Sequence, residues 1–522
     1  MTKQLKSDKS RIVVIGAGIG GLAAALRLAH TGCAVTVLEA AEGPGGKMRT
    51  MPSVAGPVDA GPTVLTMRPV FEALFADVGE RLDDHLTLTP LPVLARHYWA
   101  DGTMLDLMAD PDASAANISA TFGPKSAQQF RRFSVRTQRL FDAFDTPMMQ
   151  SANPTQRGLT QQVLKSPRLL WDMAPHQTMA QLLRHSFTEP KLRQLFGRYA
   201  TYVGGSPHAA PALLSLISQS EARGVWAVAG GMHRLAQVIA GLAQARGAVF
   251  QYGQVAKRIE QQGGRVSAVV TTLGKFPADI IVFNGDPRAL CTGLLGDGVK
   301  KAVPTTGVEP RSLSAYVHAF AAIPSGPDLS YHTVFFGDDP QAEFSALARG
   351  ERPIDATLYI CAQDRTGEIP TGPERFEIIL NGAPTSVDKE SEQEVIACQT
   401  QVFTRLEQFG LQFSPTPGAA TLTTPQGFNR LFPASNGSLY GRSPQGLTAG
   451  LKRPQAGTGV PGLYLTGGGC HPGAGVPMAT LSARHAAAAI MTDLALRSMC
   501  PPTATLGGML TGSAPTGRAP SR

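Results

Sequence analysis

Apolar and polar positions change rhythm several times along this chain, and each change marks an element. Ile12 to Ile15 is a short, β-branched apolar run of the kind that fills a buried parallel strand. Gly16, Gly18 and Gly21 follow at once, and then the helix-forming run LAAALRLAH, which Thr31-Gly32 ends. Ala34 to Leu38 predicts a second strand with Glu39 at its tip, eighteen positions after Gly21. From about Pro111 to Arg223 glycine thins and helical patterning takes over. There Phe130, Phe133, Leu140, Phe141 and Phe144 share one side of a helix, and Arg131, Arg132, Arg136 and Arg139 the other. Ala248 to Tyr252 predicts a strand, residues 255–270 a hairpin about Gly263-Gly264, and Ala278 to Phe283 a buried strand ended by Asn284-Gly285-Asp286-Pro287. Between about 300 and 440, β-rich runs such as Thr357 to Cys361 and Arg375 to Leu380 alternate with Pro/Gly loops. Leu463 to Thr466 predicts a strand, Gly467 to Gly475 a glycine loop, and Pro477 opens a helix to about Met499.

The order strand, Gly16-x-Gly18-x-x-Gly21, helix, strand, acid predicts a dinucleotide site. The first glycine makes the tight turn, the second lets backbone approach a diphosphate, and the third lets helix and strand close together. The helix aims its free N-terminal amides and the positive end of its dipole at that diphosphate. Glu39 is placed to take both ribose hydroxyls and to repel an extra phosphate there. The stretch GLYLTGGGCHPGAGVPMATLSAR (462–484) offers a second helix start, with the amides of Val476 and Met478 free for an anion.

Composition narrows the class. At 522 residues the chain exceeds one ordinary core and predicts two or three lobes. Apolar content is an ordinary 43%, but charged residues are only 16%, a thinly charged surface that suits apolar material or a membrane. A net charge of +8 without arginine-rich or aromatic-interleaved motifs makes no case for nucleic acid. Cys33, Cys291, Cys361, Cys398, Cys470 and Cys500 form no CxxC pair, which argues against a metal site or a disulfide framework and for a reducing compartment. The basic N-terminus leads directly into a strand and is not expected to be a signal peptide. No run of eighteen apolar residues predicts a spanning helix, so any membrane contact is expected to be peripheral.

Pro44-Gly45-Gly46-Lys47-Met48-Arg49 resembles the segment that follows the Rossmann unit in two-dinucleotide-binding flavoproteins, which implies FAD as cofactor. With DAGPTVLT (59–66) and the 462–484 segment, the chain from Arg11 to about Ala495 resembles the bacterial carotenoid desaturases of the phytoene-desaturase type. ARHYW (95–99), FGRYATYVGGSP (196–207), GVWAV (224–228), FNGDP (283–287) and LYICAQDR (358–365) resemble those members that desaturate 1-hydroxycarotenoids at C3–C4, also called methoxyneurosporene dehydrogenases.

The resemblance implies an α/β fold: a Rossmann-type FAD-binding domain of the two-dinucleotide-binding class, with a β-sheet substrate lobe and a helical lobe. The FAD domain is expected from 1–85, 224–300 and 455–499, the sheet lobe from 86–110 and 301–454, and the helical lobe from 111–223. Composition predicts a disordered tail at 500–522. Motif and resemblance together imply FAD contacts at Gly16, Ala17, Gly18, Gly20, Gly21, Glu39 and Ala40, and at Gly46, Lys47 and Met48. Further contacts are expected at Val255, Asn284, Gly468, Gly469, Val476, Pro477 and Met478. The implied partners are a carotenoid drawn from a membrane and oxygen or a quinone as electron acceptor. The implied location is cytoplasmic, peripheral to the inner membrane, in spheroidene- or spirilloxanthin-type carotenoid biosynthesis. The basic amphipathic helix around 130–144 can lie in a membrane interface or pack on its own core; both readings stay open.

Hydride loss next to a polyene gives a delocalised cation, so FAD suffices as acceptor and strong acid/base machinery is not required. Asp59 and His471 are the polar residues in motifs nearest the expected flavin, as proton acceptors or as structural groups. Cys470 can tether a flavin or simply be buried. Arg198, Tyr199 and Tyr202 line the substrate tunnel and bind a terminal hydroxyl, or pack the core. The alternatives are a phytoene desaturase, an amine or protoporphyrinogen oxidase, and a non-enzymatic protein of the escort or GDP-dissociation-inhibitor type.

Overall fold

A computed structural model of the chain describes residues 10–385, 387 and 391–499, so the expected disordered tail at 500–522 lies outside the described residues. A parallel sheet of five strands is assembled from four distant stretches of sequence. Its order is Leu463–Leu465, Ile280–Phe283, Arg11–Ile15, Ala34–Leu38, Val249–Gln251. Alternate residues of Arg11–Ile15 face opposite sides, and both sides are covered. Ile12 and Val14 pack on the helices Ile19–His30, Met232–Ala245 and Val476–Met499. Val13 and Ile15 pack on a three-stranded antiparallel sheet carrying Ile259, Val266 and Val269. Burial on both faces is why these strands read as continuous apolar runs. The hairpin between Ala256–Gln262 and Arg265–Thr271 turns at Gly263 and Gly264, both with positive φ (59° and 78°), which suits the right-handed twist of the strands.

A larger mixed sheet roofs one end of this domain. Its main path runs Gln412–Ser414, Ser314–Ser325, Glu374–Gly382, Leu358–Ala362, His332–Phe335, Val93–Tyr98, Met104–Met108. The pairing of His332–Phe335 with Val93–Tyr98 is parallel and its neighbours are antiparallel. Phe376, Ile378 and Leu380 point at the helix Glu392–Gln408 through Val402, Phe403 and Leu406. Residues of opposite parity, Glu377, Ile379 and Asn381, therefore take the other face, toward the FAD domain.

Helices fill most of 111–223. In Pro124–Phe144 the aromatic stripe is core: Phe130, Phe133, Leu140, Phe141 and Phe144 are all buried, and Phe133 meets the ring of Phe196 at 4.8 Å between centroids. Arg136 and Arg139 turn inward too, Arg139 holding the Asp172 carboxylate through two bonds of 2.8 and 2.9 Å. Of the two readings open for this helix, core packing is the one observed, since its apolar face is already covered. The helix ends in a π-helical turn, Asp145–Met149, closed by a bond from Gln150 N to the Asp145 carbonyl (3.0 Å). Pro147 lacks the N–H that regular helix needs there.

Glu377 is 0% exposed and neither carboxylate oxygen has a hydrogen-bond partner among the described residues. Burial first, then the charge of Asp59, raise its pKa well above the ordinary value, with Arg49 opposing. A raised folded pKa means that the native state binds a proton the unfolded chain has released, so this group costs stability as pH rises above the unfolded value. Glu377→Gln is accordingly expected to raise Tm at pH 8 and to change it much less at pH 5; an equal shift at both pH values would refute a neutral Glu377.

Candidate functional site

Three glycine turns meet at the carboxyl ends of adjacent parallel strands. The turn after Arg11–Ile15 holds Gly16, with φ +98°, and leads into Ile19–His30, whose N-cap is Gly18 and which has no side-chain cap. A Cβ at Gly21 would lie 2.1 Å from the Gly16 carbonyl, so this position sets how closely helix and strand approach. The second turn, Gly45-Gly46, zips onto the first through a bond from Gly45 N to the Ala17 carbonyl (2.9 Å). The third follows Leu463–Leu465, with Gly467 N held by Ser482 Oγ at 2.8 Å.

Asn284, at the end of Ile280–Phe283, sits between them. Its Nδ2 donates to the Gly16 carbonyl at 3.2 Å. Cβ atoms at Gly18, Gly20 and Gly467 would lie 2.9, 2.7 and 2.6 Å from its amide atoms. The first and third turns thus pack on one side chain while the second rests on Gly18, and their outer surfaces line a cavity of about 1200 Å³. That exceeds the roughly 300–1,000 Å³ of an ordinary small-molecule pocket.

Of the residues expected to hold FAD, all but Ala17 and Gly21 line this cavity. Ala17 instead donates its N–H to Glu39 Oε2 at 2.6 Å, and Gly21 faces the Gly16 carbonyl. The Glu39 carboxylate also accepts from Ala41 N at 2.8 Å, so two backbone amides fix it at the cavity wall. The uncapped start of Ile19–His30 and the start of Val476–Met499 both open here. Bare glycine surfaces, helix amides that donate and an anchored carboxylate that accepts are what a dinucleotide needs, and the residues present fit FAD.

Lys47 lies at the wall among Phe432, Leu439 and Tyr440. Its Nζ donates to the Leu439 carbonyl at 2.5 Å and stands 5.4 Å from the centre of the Phe432 ring. Burial is the main cause lowering its pKa to about 8, with Arg311 and Arg453 adding to the effect and Asp286 opposing it. Arg453, buried behind, donates to the Gly468 carbonyl at 3.0 Å and to the Tyr440 carbonyl at 2.8 Å.

From the cradle the cavity runs under the roof sheet and into the helical lobe. Thr63, Ala315, Val317, Thr357, Tyr359, Ile379 and Asn381 line the sheet side. Phe141, Phe144, Met148, Met149, Val163, Leu170 and Met173 line the helical side. Arg198 and Tyr202 stand between, with Arg198 Nη1 donating to Tyr202 OH at 2.7 Å. Tyr202 OH donates in turn to Glu221, which also accepts from Tyr199 OH at 2.6 Å. On the sheet, Thr63 and Tyr359 share a hydrogen bond of 2.8 Å and Tyr359 meets His332 Nδ1 at 2.6 Å. Burial, helped by Arg198, lowers the His332 pKa to about 3, so the imidazole is neutral.

Several sequence-based assignments need correction. Tyr199 is 2% exposed and does not line the cavity; it packs on Phe196 and serves Glu221. Asp59 does not line it either, because its carboxylate caps Met232–Ala245 at Met232 N (2.5 Å) and His233 N (3.2 Å). His471 is buried with its Nε2 on the Ser151 carbonyl at 2.8 Å and its ring stacked on His485. For Cys470 the simple-burial alternative holds: it is fully buried, does not line the cavity, and burial pushes its thiol up to about 12. Sequence reasoning missed Tyr359, Phe432, Tyr440 and Arg453. LYICAQDR flagged Tyr359 as part of a region only, whereas Tyr202 was expected by number and does line the cavity; nothing in the pattern marks Phe432 as cavity wall.

A parallel sheet with a cradle of three glycine turns, roofed by a second sheet over a long apolar cavity, defines the class of flavoprotein oxidoreductases. The family model for flavin containing amine oxidoreductases matches residues 19–327, more than half of the chain. The hydroxyneurosporene desaturase of Cereibacter sphaeroides is 57% identical over 490 residues, covering 94% of this chain and 99% of that protein. The 1-hydroxycarotenoid 3,4-desaturase of a Flavobacterium species is 29% identical over 91% of this chain and 97% of its own length. Among solved structures, cyclohexylamine oxidase from Brevibacterium oxydans shares the fold at a TM-score of 0.57 and 19% identity, over 93% of this chain and 100% of that one. The chain belongs to the carotenoid desaturases of the flavin containing amine oxidoreductase family. It is an FAD-dependent oxidoreductase.

Two variants test the cradle. Gly18→Val drives a branched side chain into Asn284 and the cavity wall, and the purified protein is expected to lack flavin absorbance; a yellow variant would falsify the placement. Lys47, protonated below pH 8, favours an anionic cofactor, so FAD affinity is expected to be flat up to pH 8 and to fall above it. Lys47→Met should bind FAD about tenfold or more weakly at pH 7 and lose that pH dependence, as read by flavin fluorescence titration.

Proposed function

We propose that this protein introduces a double bond at C3–C4 of an acyclic 1-hydroxycarotenoid, in a route of the spheroidene or spirilloxanthin type. The observation that carries the reading is the single cavity continuous from the FAD cradle into an apolar tunnel. Arg198 is the one charged side chain among its described lining residues that lies away from the glycine turns. An apolar tunnel fits a polyene, and a polar patch within it fits a hydroxylated end. Arg198 and Tyr202 present that patch, and Thr63 and Tyr359 add hydroxyls from the sheet. The high identity to a hydroxyneurosporene desaturase supports the same substrate class.

Bound FAD supplies the hydride acceptor, with oxygen or a quinone reoxidising it. The walls do the remaining work. The sheet and the helical lobe align the C–H bond beside the conjugated chain and exclude water. The proton lost from the neighbouring carbon goes to the Tyr359 hydroxyl as that hydroxyl passes its own proton to the neutral His332 at Nδ1, the relay assigned to this step.

The substrate enters from a bilayer. Leu170 and Met173 line the cavity, and beside them Trp171 is 84% and Leu164 74% exposed, with Arg157 and Arg168 also at the surface. Aromatic and aliphatic groups flanked by arginines suit an anionic membrane surface. No described helix is long and apolar enough to cross a membrane, so the reading is one of peripheral attachment on the cytoplasmic face of the inner membrane.

The test is anaerobic mixing of the FAD-loaded protein, in liposomes, with a 1-hydroxylated carotenoid and separately with phytoene. Flavin bleaching with a red shift of the polyene is expected for the hydroxylated carotenoid alone. Arg198→Met should narrow that preference about tenfold or more. Bleaching by phytoene at an equal rate would remove the hydroxyl reading and keep the desaturase.

A further inference from the structure

The π-helical turn Asp145–Met149 is held from outside by three side chains that arrive from more than 300 positions away in sequence. His471 Nε2 donates to the Ser151 carbonyl at 2.8 Å and His485 Nε2 to the Met149 carbonyl at 3.2 Å. Arg484 Nη2 donates to the Gln150 carbonyl at 3.1 Å and to its side-chain Oε1 at 2.8 Å. Three consecutive carbonyls are thus taken by one patch of the C-terminal segment. The two imidazoles are 4% and 5% exposed and stack at 5.7 Å with an interplanar angle of 19°. Burial is the main cause holding both below the ordinary histidine pKa, His485 at about 4, so each is a neutral ring that donates through Nε2.

The two sides of this contact are also two sides of the cavity. Met148 and Met149 line it from the turn, and Pro472 through Met478 line it from the loop and helix start that His471 and His485 bracket. A π-turn is a wider, less favourable winding than α-helix and recurs at functional sites. Methionine at such a wall adapts its shape readily. These four bonds from three side chains tie the turn to the C-terminal segment that carries the loop 472–475 and the start of the helix Val476–Met499.

We propose that His471, Arg484 and His485 form a latch that sets the width of the tunnel where it leaves the FAD cradle. They are positioning residues: they act through Met148 and Met149 and touch neither cofactor nor reacting carbons. The latch admits an extended polyene end and rejects a bent one. This selectivity rests on the carotenoid reading above, whereas the latch itself does not.

The experiment uses full-length, FAD-loaded protein. Arg484→Met removes two bonds, His485→Phe keeps the ring and removes the donor, and His485→Gln restores a donor. Hydrogen exchange of the amides in 146–151 is expected to accelerate about tenfold in the first two, in line with the loss of one or two hydrogen bonds. In the third it should stay near the wild-type rate. KM for the extended carotenoid should rise about fivefold with kcat nearly unchanged and FAD affinity unaltered, and the preference for extended over cis isomers should shrink. Unchanged exchange in Arg484→Met and His485→Phe overturns the latch. A loss of FAD affinity in step with KM also overturns it, because the residues would then serve the flavin helix instead. Accelerated exchange in a protein that desaturates no carotenoid would support the latch and sink the substrate reading.

Discussion

The close approach of two glycine turns to Asn284, with a third resting on the first, is the constraint on which the remaining architecture depends. A side chain at Gly18, Gly20 or Gly467 would collide with the Asn284 amide, and one at Gly21 with the Gly16 carbonyl. Only with these positions bare can the strand ends and helix starts converge on one cavity. Parallel strands need long crossovers, so the chain must leave the sheet after each strand and return later. Those excursions, from Gln251 to Ile280 and from Phe283 to Leu463, build the small sheet and most of the roof. The stretch between Leu38 and Val249 builds the helical lobe and the edge of the roof nearest it. The cavity is where all of them come back.

Polar groups are distributed along that cavity by what each must hold. Glu39, Lys47, Asp286 and Arg453 stay at the glycine turns, where backbone amides hold Glu39, Arg311 holds Asp286, and an anionic cofactor would offset Lys47 and Arg453. Among the described residues lining the tunnel the one charge, Arg198, is offset by the Glu221 carboxylate through Tyr202. Histidines near the substrate side are neutral, because burial holds His332 and His97 at about 3. A reaction driven by hydride transfer from carbon needs such a wall: dry, weakly basic and shaped, with charge confined to its cofactor end.

Much of the site was legible before any tertiary contact was known. Glycine spacing and the acid at the second strand's end identify the cradle, since the turn geometry admits few residue types and the order is local. Residues whose role is set by distant partners were not legible. Asp59 reads equally as a proton acceptor or a structural group, and only its bonds to the amides of Met232 and His233 decide for the structural role. His471 is open in the same way until its bond to the Ser151 carbonyl is seen. The aromatic stripe of Pro124–Phe144 has the period of an interfacial helix and of a core helix alike; Phe187 and Phe196 decide for the core.

The sequence by itself determined the dinucleotide-binding unit, its helices and strands and the residues of the cradle, because these follow from turn stereochemistry and from periodicities of two and 3.6 residues. Tertiary structure alone decided the course of the tunnel, the pairing of Arg198 with Tyr202 and Glu221, and the capture of the π-turn by His471, Arg484 and His485. The physical reason is one of range. Backbone preference is written in neighbouring residues, whereas the direction of a long polar side chain is set by whichever partner folding brings within about 3 Å of it.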